Sequence, residues 1–512
     1  MSRLVMKFGG TSVGSAEAIR HVLAIVRQEC QQWDEVVVVT SAIRGVTDSL
    51  VKLVDSAAKG ETASVDKQLE DLRKRHYTAA REFIDAAQHP TELAHVDSEI
   101  DRLLAELNGT CQEIIAAGGA DGRLSDASLS MGERLMAQIL PIIMQVNDIP
   151  AAGVDASQVL VTDYRHQNAQ PQSGPSRING QRIIDPILAA GQVPVVTGYI
   201  GATPEGAITT LGRGGSDYSA TYLASVIDAD EVWIWTDVNG VMTADPRKIK
   251  EAQIMDTISY QEVSEFAHFG AKVLHPRSVE PLLEPKTPLR VCNTFNPVHP
   301  GTRINGQQVG GPKHMSAVTS IDGVLVFLPS QHVDSLFSLT QQLLTKHFLQ
   351  EAQPVITVDS HAGKLLCYVV PTTARRTAMT ESVEALQAAF ALQDAGTAWR
   401  AEPISIVAAI GVTDIQQTVQ VLNAVKSAKA DLLALGHGSP QCSLLAVPPQ
   451  QALRVMRRLH RMIVSVQSNL QYADNDPLCP PTLSVPASRT NKKRGGRSRG
   501  KGSNPPHRVI PL

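Results

Sequence analysis

From Arg3 to Phe8, and again over residues 36–40, the chain runs almost unbroken in apolar and β-branched residues. Short runs of this kind predict strands buried on both faces of a sheet. Residues 192–199 and 231–236 repeat the pattern. From Ala16 the spacing changes, and Ile19, Leu23 and Val26 fall on one face of a helix. Residues 67–87, 92–116 and 126–146 carry apolar positions three and four apart, which predicts a helical subdomain over about 67–148, with Pro141 bending its last helix. Alternating strands and helices over 1–304 predict an α/β fold: a mostly parallel sheet sandwiched by helices. Ligands of such sheets bind beyond the C-terminal strand ends.

A Pro/Gly-rich joint over 296–313 precedes a different pattern. Residues 316–328 read as strand, 333–349 as helix, 355–358 and 364–370 as strands, and 380–392 as a helix with Thr380 as its N-cap. The pattern then restarts with strand 404–410, helix 415–428, strands 431–435 and 442–447, and helix 450–462. These are two α+β units, about 314–400 and 401–470. Residues 484–512 hold no acid, and their basic residues alternate with Gly, Ser, Asn and Pro, a composition that predicts a disordered, solvated tail.

Two strand ends carry the chemistry. Lys7 closes the first strand and is followed by Gly9, Gly10, Thr11 and Ser12. The 212–217 stretch, Gly-Arg-Gly-Gly-Ser-Asp, follows another β-branched run and opens a helix. Glycines admit a ligand close to the backbone, and a helix N-terminus directs amide hydrogens at an anion. Arg213 adds a planar fork for a carboxylate or phosphate. Ser216 and Asp217 are expected as N-cap and first-turn residues. Neither turn has the G-x-x-x-x-G-K or G-x-G-x-x-G spacing. Two anion-holding turns in one domain suggest a ligand with several phosphates, or two anions brought together.

The Lys7–Val13 heptad, K-F-G-G-T-S-V, resembles the signature of the aspartokinases, members of the amino-acid kinase superfamily. The resemblance continues in order through S-A-I-R-G-V-T (41–47), S-M-G-E-R (130–134), T-L-G-R-G-G-S-D-Y-S (210–219), the 235–247 segment and F-G-A-K-V-L-H-P (269–276). It is continuous over about three hundred residues. It implies an amino-acid-kinase-type catalytic domain over 1–304, followed by two ACT-like regulatory units, the first of them degenerate. It also implies ATP-dependent phosphorylation of the aspartate side-chain carboxylate, the first step towards diaminopimelate, lysine, threonine and methionine. Residue by residue, it gives Lys7 and Asp217 catalytic roles. It places aspartate on Ser41, Thr47, Glu133, Tyr199, Arg213 and Ser216. It places ATP on Lys7, Gly9, Gly10, Thr236, Asp237, Gly240, Met242, Asp245, Arg247 and Lys272, with Met242 standing where the family often has tyrosine. Mg²⁺ is expected to ride on the phosphates, with no dedicated protein ligands. The effector segment of the family matches poorly here: Val358-Asp-Ser-His-Ala-Gly363 leaves the usual hydroxyl pair incomplete, so weak or absent inhibition by lysine is expected. ACT-like units pair across subunits, which implies a homodimer or larger.

Composition removes other classes. The net charge of −3 over 512 residues calls for neither nucleic acid nor membrane, the basic tail apart. Six cysteines without a C-x-x-C pair suggest neither a zinc site nor a disulfide framework. No apolar run spans a membrane and the N-terminus lacks the layout of a signal peptide, so the cytoplasm is the expected compartment. Competing functions are a kinase of another acidic metabolite such as glutamate or acetylglutamate, a catalytically weak amino-acid sensor, and an RNA-associated protein acting through the tail. A fused homoserine dehydrogenase is not expected, because no such domain follows.

Overall fold

In the computed structural model, the described residues are 1–271, 274–306, 315–371, 374–375, 377–393 and 399–474. The expected basic tail and Lys272 lie outside them. Sixteen strands are named among the described residues. The first ten are β1 (Arg3–Phe8), β2 (Glu35–Thr40), β3 (Ala151–Val154), β4 (Val193–Thr197), β5 (Ile200–Ala202), β6 (Ile208–Thr210), β7 (Glu231–Thr236), β8 (Thr257–Ser259), β9 (Leu289–Asn293) and β10 (Thr302–Asn305). Eight of them form one sheet, in the order β3-β4-β2-β1-β7-β9-β10-β8. Every pairing is parallel except that of β9 with β10. β5 and β6 form a separate hairpin.

Period-two burial explains the central strands. Leu4, Met6 and Phe8 of β1 and Val36 and Val38 of β2 face a core shared with helices Ala16–Glu29, Val46–Ala58, Pro90–Ala117 and Met131–Gln145. Val5, Val37 and Val39 face the opposite core, shared with helices Ser173–Ala189 and Gly215–Val226. A strand buried on both faces has no polar side to show, hence the unbroken apolar runs.

The helical insertion differs from expectation at both ends. The helix expected over 67–87 runs instead from Thr62 to Arg81, and the stretch expected as a single helix over 126–146 is two, Gly122–Leu129 and Met131–Gln145, meeting at Ser130. Glu133 therefore lies in the first turn of the later helix.

The remaining strands are β11 (Ala317–Pro329), β12 (Pro354–Ser360), β13 (Gly363–Val369), β14 (Arg400–Ile410), β15 (Ala434–Ser439) and β16 (Cys442–Val447). They form a single antiparallel sheet, β12-β13-β11-β14-β16-β15. The two repeats meet along an eleven-residue β11–β14 register from Ala317↔Ile410 to Phe327↔Arg400. The sheet curls until its outer strands touch: a Cβ on Gly436 of β15 would lie 2.9 Å from Ile356 Cγ1 of β12. Helix Ala378–Gln393 starts before Thr380, so that threonine is not the cap. Leu336 and Val425 are buried within their own repeats, while Val419 is half exposed. No helix among the described residues is long and apolar enough to cross a membrane.

Candidate active site

The C-terminal ends of β1, β2, β4 and β7 are stitched together by backbone hydrogen bonds. Gly9 N donates to Trp235 O at 3.1 Å, Ser41 N to Phe8 O at 3.2 Å, and Gly198 N to Thr40 O at 2.8 Å. Arg44 N closes the first glycine turn onto Gly10 O at 3.1 Å. The motifs far apart in sequence thus share one rim of the sheet, as parallel topology requires.

Lys7 projects from this rim and is 8% exposed. Its Nζ lies 2.5 Å from Asp217 Oδ1 as an ion pair, although the approach is not aligned as a hydrogen bond. Asp217 is in the first turn of helix Gly215–Val226, where the helix end stabilises its charge. The N-cap is Gly214 at φ +71, and no side chain caps the helix, so Ser216 is inside the first turn and is not the cap expected from the sequence. Glycine is required at 214: besides its left-handed backbone, a Cβ there would lie 2.5 Å from His275 Cβ.

Glu133 is 4% exposed, and its Oε2 takes no hydrogen bond. Burial pushes this carboxyl up to about 7, against the pull of the Ala42 and Glu133 amides and the Lys7 ammonium. A buried carboxylate with a free oxygen suits a cationic group of a ligand. Gly132 makes the placement possible, because a Cβ there would lie 2.6 Å from Ala42 Cβ and force helix Met131–Gln145 off the Ser41–Ile43 segment.

Tyr199 holds a positive φ of +71 directly after β4. Its amide donates to Ser219 Oγ at 3.0 Å, and its ring packs where a Cβ on Gly215 would stand 2.6 Å away. Burial raises its phenol. Ser41 is buried, Thr47 half-buried in the first turn of helix Val46–Ala58, and Ser216 faces Gly198. Arg213 is exposed and lines a cavity of about 760 Å³ together with Asp217 and His275.

The structure brings Lys7, Asp217 and Glu133 together, with Tyr199 beside Glu133. The other positions expected on the nucleotide side are more dispersed. Thr236 and Asp237 leave the end of β7 next to Gly9, and Asn293 and Asn296 share Asn239 Oδ1 there. Gly240 packs on Thr302, Met242 bridges to Ile254, and Arg247 is exposed, forked onto Asp245 at 2.9 and 2.8 Å. Between them Thr243 is fully buried: its Oγ1 lies 2.9 Å from Nε2 of His460, on the helix Pro449–Asp474, and its carbonyl accepts from Val318 N at 2.9 Å. The segment that follows β7 is therefore part of the core of the second sheet, where Ala244 and Ile249 pack with Val318 and Leu459.

Sequence reasoning missed the braces of the site. Asp126 is fully buried and accepts from Thr210 Oγ1 at 2.6 Å, from Gln167 N at 3.0 Å, and bonds His166 Nδ1 at 2.8 Å. Arg277 donates to Asn168 Oδ1 at 2.5 Å and Leu211 O at 3.2 Å, and its guanidinium lies 4.6 Å from the Tyr218 ring centre. Ser12 and Thr294 share a buried hydrogen bond of 2.7 Å behind the first glycine turn. Only Asp126 left a trace, as an acid in an apolar helical pattern seven residues before Glu133.

Residues 2–293 match the model of the amino acid kinase family. The chain is 36% identical over 302 residues to the chloroplastic bifunctional aspartokinase/homoserine dehydrogenase 1 of Zea mays, covering 59% of this chain and 32% of that protein. It is 29% identical over 412 residues to the aspartokinase of Chlamydia muridarum, covering 80% and 85% respectively. The chain thus spans between about a third and a half of the length of its bifunctional plant relatives and most of the length of the bacterial aspartokinase. Among solved structures, aspartokinase III of E. coli in complex with aspartate and ADP superposes with a TM-score of 0.71 at 26% identity, covering 90% of this chain and all of that one. The same enzyme in complex with lysine and aspartate gives 0.74 at 26% identity. With a matching family model over more than half its length, the chain belongs to the amino acid kinase family.

Proposed function

We infer that the protein is an aspartokinase, transferring the γ-phosphoryl group of ATP to the side-chain carboxylate of L-aspartate to give 4-phospho-L-aspartate and ADP. One observation carries the choice of acceptor: Glu133, buried with an unbonded Oε2, lies close enough to Lys7 to feel its charge. The pocket beside the phosphoryl-handling lysine is thereby suited to an acceptor that brings an ammonium of its own. The relatives named aspartokinase, and the E. coli homologue bound to aspartate and ADP, support the same reading.

A carboxylate acceptor is already an anion at neutral pH, so no general base is needed. One of its oxygens attacks the γ-phosphorus in line while the bond to the β–γ bridging oxygen breaks and ADP leaves. Lys7 follows the equatorial oxygens, and Asp217 fixes the lysine between the two substrates. Glu133 holds the substrate ammonium and Arg213 the α-carboxylate. Ser41, Thr47 and Ser216 donate hydrogen bonds, and Tyr199 walls the pocket.

On the donor side, Gly9 and Gly10 take the phosphates. Thr236, Asp237, Gly240, Met242, Asp245 and Arg247 receive the nucleoside portion, with Lys272 outside the described residues. The donors facing the phosphates are an ammonium, backbone amides and hydroxyls, which fit an anion rather than a bare cation. A Mg²⁺ ion would travel on the nucleotide and neutralise phosphate charge.

The test is ADP release measured with L-aspartate, L-glutamate and N-acetyl-L-glutamate. Aspartate is expected to exceed the others in kcat/KM by at least about a hundredfold. Equal or greater turnover of N-acetyl-L-glutamate, which has no ammonium, would overturn the assignment of Glu133 and with it the acceptor.

A further inference from the structure

A second cavity lies away from the catalytic rim. It measures about 590 Å³ and sits between helix Tyr260–His268, the Val279–Leu283 turn, and the outer strands β12 and β15. Helix Tyr260–His268 turns Gln261, Ser264, Glu265 and His268 towards it, a polar stripe at three- and four-residue spacing. Its opposite face, with Val263 and Phe266, is core.

Glu265 is 9% exposed, and its Oε2 is buried without a hydrogen bond. Gln261 Nε2 reaches only Oε1, at 3.4 Å. Burial raises this carboxyl. The Ser439 hydroxyl, the Gln261 amide and the Cys442 thiol sit near enough to offset part of the rise, and the Glu262 carboxylate adds to it, yet none of the three donors closes a bond of ordinary geometry onto Oε2. An unpaired buried carboxylate is costly unless a ligand pairs with it. Nothing in the phosphoryl-transfer chemistry uses it.

The rest of the lining narrows the ligand. Glu280 adds a second carboxylate, and no lysine or arginine appears among the described lining residues. His268, which burial holds below its ordinary value, and His437 are the lining side chains able to carry positive charge, so an amino acid's own carboxylate would find no permanent cation among the described lining residues. Leu283, Val279, Val355 and Phe269 supply apolar walls that suit methylene groups. His, Cys, Asp and Glu side chains do not converge in threes on a metal-holding geometry among the described residues, which leaves an organic cation.

We propose that this junction cavity is a binding site for a small aliphatic amine, its ammonium paired with Glu265 and its carbon chain laid along Val279, Leu283 and Val355. The site is distinct from the aspartate pocket and does not depend on the reading of that pocket.

Isothermal titration of the full chain with 1,5-diaminopentane at neutral pH tests it, with 1,5-pentanediol as the uncharged isostere. Saturable binding of the diamine is expected, with none by the diol. Glu265→Gln should weaken the diamine by at least about tenfold, since a charge-assisted bond is lost. Ser264→Trp, which fills the cavity and leaves Glu265 in place, should abolish binding and decides the matter if the first variant does not fold. Glu133→Gln should bind the diamine as the wild type does. Equal binding of diol and diamine, unchanged binding in Glu265→Gln or Ser264→Trp, or loss only in Glu133→Gln would each overturn the proposal, the last by placing the amine in the catalytic pocket. No saturable binding up to about 10 mM would overturn it as well.

Discussion

The two sheets of this molecule use polar side chains in opposite ways. In the parallel sheet, charge gathers at one rim: buried Lys7, Glu133 and Asp126 and half-buried Asp217 lie within a few residues of strand or helix ends, and Glu133 keeps an oxygen unbonded. In the antiparallel sheet the corresponding inner surface is apolar, with Ile356, Cys367, Ile406, Leu444 and Ala446 filling the curl. The first region spends stability on a preorganised pocket, and the second is built as a packed support. They are joined where Thr243 meets His460 and Val318. The comparison teaches that the loop after β7 belongs structurally to the support while its flanks face the site.

The largest effect that would break this comparison is at Lys7. Lys7→Ala should lower kcat by at least about a hundredfold and leave the aspartate KM nearly unchanged, because the lysine acts on the moving phosphoryl group. Steady-state kinetics with both substrates varied would check it. A variant retaining near-wild-type kcat would remove Lys7 from the reaction.

Glu133 should show the trade between stability and function directly. Its carboxyl costs nothing below its ordinary value of 4.5, where folded and unfolded states are both protonated. The cost grows as pH rises towards the folded value of about 7 and is complete above it, on the order of 3 kcal/mol. Glu133→Gln should therefore raise the melting temperature of the unliganded protein by several degrees at pH 8 and much less at pH 5. The same change should raise the aspartate KM by at least about tenfold. In the wild type, kcat/KM for aspartate should fall as pH drops below about 7, because a protonated Glu133 cannot pair with the ammonium. A flat profile between pH 6 and 8, or a destabilised Glu133→Gln at pH 8, would contradict the role.

Arg213→Lys keeps the charge and loses the fork, so the aspartate KM should rise by about tenfold while ATP binding changes little. Equal weakening of both substrates would move Arg213 to the phosphates. The smallest effect is expected at the joint. His460→Ala should raise the ATP KM by a few-fold with the aspartate KM unchanged, and His460→Gln, whose amide can hydrogen-bond the Thr243 hydroxyl as donor or acceptor, should restore it. Equal changes in both KM values would mean that the helix supports the whole fold and not the loop after β7 in particular.

Much of this architecture was legible in the sequence. The strand from Arg3 to Phe8, the helix opening at Ala16 and the strand from Cys442 to Val447 have the expected bounds, because each has a strong apolar period and a clear breaker at its end. The motif residues at strand ends were legible for the same reason, since parallel topology sends those ends to one rim. Less legible were features set by tertiary contact. Ser216 resembles a cap, yet the left-handed Gly214 takes that place because His275 crowds the turn. The helix break at Ser130 lets Gly132 approach Ala42, a contact ninety residues away in sequence that no local period encodes. Asp126, Arg277 and His460 act by bonding distant backbone and hydroxyl groups, and an isolated polar residue gives no sign of its partner. The first repeat's Asp359 is exposed and pairs across its hairpin with Lys364 at 3.4 Å, a cross-strand partner set by the register of β12 on β13.

The most direct test of the central claim is the identity of the phosphorylated product. ATP, Mg²⁺ and L-aspartate incubated with the protein should give, by phosphorus NMR and by hydroxylamine trapping, an acyl phosphate on the side-chain carboxylate, recovered as aspartate β-hydroxamate in step with ADP. Formation of the hydroxamate should be lost in Lys7→Ala. ADP release without an aspartyl hydroxamate, or a hydroxamate formed equally well by Lys7→Ala, would contradict the account.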